Sequence, residues 1–313
     1  MSKNTNALSL GIDIGGTNTE LGLVDENGVI VAKTAIKTAA FKGAENLVER
    51  IWKQSLQLAD GGKITRIGAG IAGLIEHKEG IVRFSPNLEG WKNVALKDMF
   101  SERFSVPVAL GNDVNVIAWG EYSFGGYETE NLFCFTLGTG VGGGIIAGGR
   151  LILGANDAAA EFGHTAFEGE TECLCGLTGC LETYVSANAL INMAARRSPL
   201  TSSLTKLACS GKLTTQRLAK AAHEGNRTAQ GIFREAGQRI GKALGNVVQL
   251  LDPEVIVING GISKAGEILI EPIKDSLKRY IMPLPERRLR VVQSSLGEKA
   301  GILGASALLE IFN

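Results

Sequence analysis

The chain has 313 residues, of which 44% are hydrophobic, and its 32 basic and 32 acidic side chains give a formal net charge of zero. This balance argues against a nucleic-acid partner, and no apolar run reaches the roughly 18 residues of a membrane span. The opening stretch MSKNTNALSLGIDIGG lacks the charged start and cleavage site of a signal peptide. We therefore expect a soluble cytoplasmic protein with one large domain or two domains that share a cleft.

Strand and helix patterns alternate along the first half of the chain. Leu8 to Ile14 alternates as a strand does, and ELGLVDENG with VIVAKTAI predicts two more strands joined by an Asn-Gly turn. Apolar spacing predicts a helix over 44–59, RIGAGIAGLI and VPVALGND predict further strands, and a helix is expected over 114–122. This alternation is typical of an α/β fold.

The second half begins with another strand pair interrupted by glycines, NLFCFTLGTGVGGGIIAGGRLI, which we interpret as a weak internal repeat of the first hairpin. A mostly helical region follows to about residue 250, and EVIVINGG then predicts a strand ending at Gly260 and Gly261. A helix, the short strand RVVQS and a last helix from about residue 298 close the chain. No flexible linker separates the halves, so the boundary is expected near residues 115–125.

The first glycine loop, DIGGTN, follows a predicted strand. Asp13 at the strand end can hold a hydrated magnesium ion, Gly15 and Gly16 let backbone N–H groups approach an anion, and Thr17 can add a hydrogen bond. An ordinary hairpin turn explains the stretch equally well. The second loop, TLGTG, favours the phosphate interpretation, because two such loops could hold one triphosphate.

The second loop also contains G-x-G-x-x-G at Gly138, Gly140 and Gly143. A dinucleotide site needs a helix after this motif, whereas IIAGGRLI predicts a strand, so we do not expect that site. A bulky residue at Gly140 is expected to disturb binding of the triphosphate and to leave binding of the other substrate mostly intact.

The segment GNDVN follows another predicted strand and carries Asn112 and Asp113 at its tip. A carboxylate in this position can accept a proton from a substrate hydroxyl, and the amide can bond a neighbouring hydroxyl. The alternative is that the segment only caps the next helix.

Three of the five cysteines lie within eight residues, as C-x-C-x4-C at Cys173, Cys175 and Cys180, after His164. Three thiolates and an imidazole suit a structural zinc ion. The alternatives are buried free thiols, or an iron–sulfur cluster that uses Cys134 or Cys209 as its fourth ligand. His77 and His223 have no such neighbours and are expected to be exposed.

Together these motifs resemble the ROK family of sugar kinases and repressors, within the sugar-kinase/actin/Hsp70 superfold, over nearly the whole chain. DIGGTN and TLGTGVGGGI resemble the two phosphate motifs, SPNLEGW the sugar-side loop and GNDVN the catalytic segment. EFGH with CLCGLTGCLE resembles the zinc-and-sugar signature, and VIVINGG the adenosine-side strand.

The resemblance implies a role for each matching residue. Asp113 would be the general base, and sugar contacts would come from Asn87, Asn112, Asp113, Glu161, His164 and Glu182. Zinc would be held by His164, Cys173, Cys175 and Cys180. ATP would be bound by Asp13, Gly15, Gly16, Thr17, Thr139, Gly140, Gly260 and Gly261.

Two departures from the family pattern are visible. Ala160 stands before Glu161 where the family often has glycine, and Gly70-Ile71-Ala72-Gly73 lacks the frequent proline of that loop. Both changes affect the expected rigidity of loops, and hence the sugar preference.

The resemblance implies two actin-like (ribonuclease H-like) α/β domains flanking a cleft. Residues 1–120, completed by a helix at 298–313, would form the first domain, and residues 121–297 the second. The implied function is that of an ATP-dependent hexose kinase of glycolysis, a glucokinase acting on the 6-hydroxyl, with ATP, Mg²⁺ and structural Zn²⁺, as a homodimer.

Two kinds of alternative remain open. The substrate could be N-acetylglucosamine, N-acetylmannosamine, mannose, fructose or allose, or the protein could be a sugar-responsive regulator without catalysis. A repressor would need an N-terminal helix-turn-helix, and the first predicted strand begins too early to leave room for one.

Overall fold

The computed structural model describes residues 7–38, 42–199 and 201–311. Both ends of the chain lie outside these ranges. They are residues 1–6, part of the stretch that was compared with a signal peptide, and residues 312–313, at the end of the predicted last helix. The described residues form two compact units. Among the described residues, the first unit contains those up to Glu128, Gly144–Ala159 and those from Ser295 onward, and the second contains those in Thr129–Gly143 and Ala160–Ser294.

The strands follow the predicted order, with additions in the first unit. They are Ala7–Ile14 (β1), Asn18–Val24 (β2), Ile30–Lys37 (β3), Lys63–Ile71 (β4), Leu74–Glu76 (β5), Ile81–Phe84 (β6), Lys92–Val94 (β7), Val108–Asn112 (β8), Leu132–Leu137 (β9), Val141–Ala147 (β10), Arg150–Leu151 (β11), Val255–Asn259 (β12) and Arg290–Gln293 (β13).

The α-helices include every predicted one. They are Ala44–Ala59 (α1), Leu96–Phe104 (α2), Asp113–Phe124 (α3), Glu182–Val185 (α4), Ala187–Arg197 (α5), Ser203–Cys209 (α6), Thr215–His223 (α7), Arg227–Leu251 (α8), Glu267–Leu277 (α9) and Lys299–Ser306 (α10). Short 3-10 helices cover Phe162–His164, Gly261–Ala265 and Leu308–Glu310.

The first sheet has the strand order β3-β2-β1-β4-β8. Strand β1 pairs antiparallel with β2 and parallel with β4, which in turn pairs parallel with β8. The register places Asp13 opposite Gly70, and Ile71 opposite Asn112. Because the carboxyl ends of parallel strands share one edge, Asp13 and Asn112 lie at the same edge of this sheet.

The backbone of helix α10 packs directly against the backbone of this sheet. A Cβ on Gly68 of β4 would stand only 1.7 Å from the carbonyl oxygen of Ala305, so only glycine permits the approach. Ile302 and Ala305 are buried in the contact. A Cβ on Gly301 would lie 2.6 Å from Oδ2 of Asp13, so the same helix covers the Asp13 carboxylate.

The second sheet has the order β11-β10-β9-β12-β13, with β12 parallel to both β9 and β13. All five residues of β12 are buried, as the apolar run VIVIN predicts. Phe162 packs edge-on against Phe133 and Phe135 of β9, with ring centroids 5.3 and 5.5 Å away. These contacts anchor the segment that carries Glu161 and His164 to the sheet.

A third sheet of three antiparallel strands, β5-β6-β7, was not anticipated from the sequence. Its strands are three or four residues long, too short to show a periodic pattern. The sheet frames the SPNLEGW segment between β6 and β7, in which Leu88 and Trp91 are buried.

The parallel and antiparallel strands, with helices packed on them, confirm the predicted α/β class. In the part of the chain that the structure describes, no helix combines the length with the apolar composition that crossing a bilayer requires.

Candidate active site

Three carboxylates interact at the carboxyl edge of the first sheet. Asp13 ends β1, and Asp113 is the first residue of α3, directly after β8. Burial first, and then the charges of Asp113 and Glu20, raise the pKa of Asp13 to about 7. Mutual repulsion of this kind makes the region attractive to a cation or to a proton.

Asn112 acts as the N-cap of α3. Its Oδ1 accepts the N–H groups of Val114 at 2.9 Å and Asn115 at 3.2 Å, so the capping alternative holds for this side chain. Its Nδ2 donates to the carbonyl oxygen of Gly73 at 3.1 Å, which leaves one amide hydrogen for another partner. The cap also fixes the direction in which α3 begins, and therefore the place of Asp113.

The loop Gly70-Ile71-Ala72-Gly73 lacks proline but is held by side chains. Ser85 donates to the carbonyl oxygen of Ala72 at 2.6 Å, and Asn112 holds Gly73 as described. Ser85 is itself buried. Two hydrogen bonds from side chains thus restrain this loop.

The first glycine loop joins β1 to β2, as predicted. Gly15 donates its N–H to the carbonyl oxygen of Asn18 at 3.0 Å, and the Thr17 carbonyl accepts from Thr38 at 2.9 Å. A Cβ on Gly16 would stand 2.9 Å from both Cβ and the carbonyl oxygen of Asn87. The structure therefore brings the predicted phosphate loop against the predicted sugar residue Asn87.

The second glycine loop, Gly138–Gly140, joins β9 to β10, and Gly138 donates to the carbonyl oxygen of Gly140 at 3.0 Å. A strand follows the motif, so the helix that a dinucleotide site requires is not formed there, as predicted from the sequence.

This loop contacts Glu182, which the sequence alone did not indicate. Oε2 of Glu182 accepts the N–H of Val141 at 2.7 Å, and a Cβ on Gly140 would stand 2.6 Å from the same oxygen. A bulky side chain at Gly140 would displace the Glu182 carboxylate, a predicted sugar contact, so we now expect such a change to affect sugar binding as well.

The four predicted metal ligands come together. One ligand atom from each of His164, Cys173, Cys175 and Cys180 lies within 4.8 Å of the others. The Sγ atoms of Cys175 and Cys180 are 3.6 Å apart, and Nδ1 of His164 lies 3.7 Å from Sγ of Cys173. A tetrahedron with metal–sulfur bonds of about 2.3 Å has edges of about 3.8 Å, so the donor set fits zinc.

The remaining cysteines lie elsewhere. Cys134 is buried in β9 and Cys209 is exposed at the end of α6, and neither belongs to the cluster. The iron–sulfur alternative, which needed one of them, is not supported.

The electrostatics of the thiols agree with a cation between them. Burial raises the pKa of Cys180 to about 12 and also raises that of Cys173, whereas the backbone N–H of Leu177 lowers the pKa of Cys175. Holding the two buried sulfurs as thiolates thus requires a positive charge beside them.

Glu161 immediately precedes the 3-10 helix Phe162–His164, which also contains His164. Ala160 before it has φ of 67°, in the left-handed region that favours glycine. The departure noted in the sequence is thus a strained residue next to a predicted sugar contact.

Gly260 and Gly261 follow β12, at the same sheet edge as the second glycine loop, since Asn259 pairs with Thr136. Beside Gly261 lies a cavity of about 480 Å³, whose wall includes Thr215, Gln216 and Lys264. Sequence reasoning missed these residues. Thr215 and Gln216 belong to α7, which is distant in sequence from Gly260 and Gly261. No local sequence pattern marks them.

The expectation for His77 was wrong. Its Nδ1 lies 2.6 Å from Oδ1 of Asp157, and its side chain is only 16% exposed. The partner comes from a loop 80 residues further on, beyond the reach of a local pattern. His223 is exposed, as expected.

A family model for the ROK family matches residues 9–311. The chain belongs to the ROK family. It is 38% identical to the glucokinase of Thermotoga maritima over 306 residues, covering 96% of each chain. It is 35% identical to the glucokinase of Streptomyces coelicolor over 310 residues, which cover 96% of this chain and 97% of that protein.

Among solved structures, the chain resembles a ROK family glucokinase from Streptomyces griseus in complex with glucose and AMPPNP. The TM-score is 0.83 at 35% identity, with 96% of this chain and 99% of the other covered. The ROK fold inferred from the motifs is thereby confirmed.

Proposed function

We propose that this ROK protein is an ATP-dependent glucokinase that transfers the γ-phosphoryl group of ATP to the 6-hydroxyl of glucose. The observation that carries the proposal is the position of Asp113, at the start of α3 and at the carboxyl edge of the sheet that also presents Asp13. The two glucokinases compared above and the Streptomyces griseus complex support it.

Asp113 takes the proton from the sugar hydroxyl as that oxygen attacks phosphorus. Its carboxylate stands on a rigid helix start, because Asn112 caps the helix with two hydrogen bonds. The proposed sugar contacts are Asn87, Asn112, Asp113, Glu161, His164 and Glu182. Phosphoryl transfer depends mostly on positioning and on charge stabilisation, which suits a site of this kind.

The glycine loops bind the phosphates through backbone N–H groups. Gly15, Gly16, Thr17, Thr139 and Gly140 serve this purpose, and Gly260 and Gly261 line the nucleoside. Asp13 holds a hydrated Mg²⁺, which neutralises phosphate charge when bound. The repulsion among Asp13, Glu20 and Asp113 favours a cation there.

The Cys/His cluster holds one structural zinc ion in this proposal. His164 faces the cluster with Nδ1, so Nε2 is the nitrogen that contacts sugar. The metal does no chemistry and instead fixes the ends of the loop on which His164 and Glu182 stand.

The remaining expectations extend the proposal. We propose a cytoplasmic homodimer and the domain division at residue 120, with the last helix completing the first domain.

The test is a kinase assay with ATP and a panel of sugars, in which kcat/KM is measured for glucose, mannose, fructose, allose, N-acetylglucosamine and N-acetylmannosamine. Glucose should give the highest value. A clear preference for an N-acetyl sugar would instead support the alternative kinases, and sugar binding without turnover would support a regulator.

The matched variant is Asp113→Asn, which keeps the size of the side chain and one acceptor oxygen but removes the base. Its kcat should fall by at least about 10²–10⁴-fold while glucose binding is largely retained. Asp98→Asn, an exposed carboxylate on α2, is the control and should behave as wild type. Near-normal turnover by Asp113→Asn would contradict the assignment of the base.

A further inference from the structure

Two cations of helix α8 contact the loop that carries the Cys/His cluster. Arg239 lies 3.4 Å from Oε1 of Glu168, and Lys242 lies 3.6 Å from Oε2 of the same carboxylate. Arg239 is also 2.9 Å from Glu235, one turn earlier on α8. One acidic residue of the loop is thus held between two cations of a long, well-packed helix.

The same cations lie over two aromatic rings. The guanidinium of Arg239 stands 4.9 Å from the ring centroid of Tyr184, and the ammonium of Lys242 stands 4.8 Å from that of Phe167. The Tyr184 hydroxyl in turn donates to the carbonyl oxygen of Glu168 at 2.6 Å. Each cation therefore makes an ion pair and a cation–π contact at once.

These contacts lie close to both ends of the loop. Phe167 and Glu168 follow His164 within four residues, and Tyr184 comes two residues after Glu182. The two ends of the loop also pair with each other, since Ala166 forms an antiparallel β-bridge with Cys180. The cations therefore hold both ends of the loop, one just after His164 and the other just after Glu182.

The ion pairs form part of a network, which is better ordered than an isolated surface pair. Glu235 joins Arg239 to Arg197 on α5, and the Arg197 guanidinium makes two contacts with it. Arg239 is only 24% exposed, against 43% for Lys242. Arg239 is accordingly the stronger of the two contacts.

We infer that Arg239 and Lys242 are positioning residues for the sugar site, supporting the loop from α8 while the metal cluster supports it from within. The inference rests on the proposed function of His164 and Glu182. Without the cations, the loop occupies the binding-competent geometry for a smaller fraction of the time. The apparent affinity for sugar falls by that fraction. Steps after binding keep their rate, because the positioned state itself is unchanged.

The test uses Arg239→Met in the full-length protein, which keeps the aliphatic length and removes the charge. We expect the glucose KM to rise about fivefold, equivalent to about 1 kcal/mol. The kcat should stay within about twofold and the ATP KM should not change. Zinc release to a colorimetric chelator, measured without substrate, should be faster by a similar factor.

Arg234→Met, an exposed arginine earlier on the same helix, is the matched control and should leave both measurements unchanged. Arg239→Lys should restore most of the sugar affinity. Should Arg239→Met fail to fold, Lys242→Met is the replacement, since that side chain is more exposed and its change should be smaller but in the same direction.

Wild-type glucose KM together with wild-type zinc release in the charge-removing variants would overturn the inference. An equal loss of kcat and of stability with an unchanged KM would also do so, because it would indicate a purely structural role. If the wild-type protein binds zinc but does not phosphorylate glucose, the proposed function fails and the chelator measurement still decides the role of Arg239. Protein that neither binds zinc nor uses glucose would overturn both.

Discussion

Replacing Asp13 by asparagine should stabilise the substrate-free protein and abolish most of its activity. The pKa of Asp13 is raised from 3.8 to about 7, by burial first and then by the charges of Asp113 and Glu20. A raised carboxyl pKa means that the folded state prefers the protonated form. The side chain therefore costs nothing below the unfolded pKa. Between about pH 4 and pH 7 the carboxyl ionises in the unfolded chain but stays protonated in the folded one, so the free energy of unfolding falls as pH rises.

The size of the effect follows from the two pKa values. Linkage gives a destabilisation of the folded protein through Asp13 of about 2 kcal/mol at pH 5 and about 4 kcal/mol at pH 8, as an order of magnitude. Asp13→Asn removes this penalty. The free energy of unfolding of the variant should thus be higher than that of wild type at pH 8. At pH 5 this difference should be smaller by about 2–3 kcal/mol.

The assay is urea unfolding of both proteins at the two pH values, without nucleotide or divalent cation, combined with kcat at pH 8. Glu20→Gln is the matched control, because it removes one of the charges that raise the Asp13 pKa and should give a smaller shift of the same sign. A stability difference that does not change between pH 5 and pH 8 would refute the electrostatic reasoning. Full activity of Asp13→Asn would refute its role at the magnesium ion.

Three further variants test other parts of the site. Gly140→Val should raise the KM for both ATP and glucose, because its Cβ would stand 2.6 Å from Oε2 of Glu182; an effect on ATP alone would show that the contact with Glu182 is not used. Cys175→Ala should lose the zinc found by metal analysis of wild-type protein and raise the glucose KM or abolish turnover; normal sugar kinetics without zinc would contradict this role. Ala160→Gly should relieve the positive φ of 67° and raise the free energy of unfolding by about 1 kcal/mol, and a thermal midpoint below that of wild type would count against strain at this residue.

Most of the fold could be predicted from the sequence, because its elements carry strong local signals. Strand β12 is a continuous apolar run, and the spacing of α1 repeats at helical intervals, so each pattern identifies its element without knowledge of the rest. The short strands β5, β6 and β7 carry no such signal, and they were missed for that reason.

The identity of the chemical groups was also readable from the sequence. The spacing of Cys173, Cys175 and Cys180 after His164 predicted the one cluster of four ligands found among the described residues. Glycines after strands marked both loops, since backbone approach to an anion needs residues without a Cβ.

Contacts between residues far apart in the chain were decided by the tertiary structure alone. Glu182 reaches the N–H of Val141 across 41 residues, and His77 reaches Asp157 across 80. The raised pKa of Asp13 likewise depends on burial under α10 and on the charge of Asp113, a hundred residues later. A sequence pattern records the preferences of neighbouring residues, whereas burial and charge–charge distances arise only once the sheets bring distant segments together.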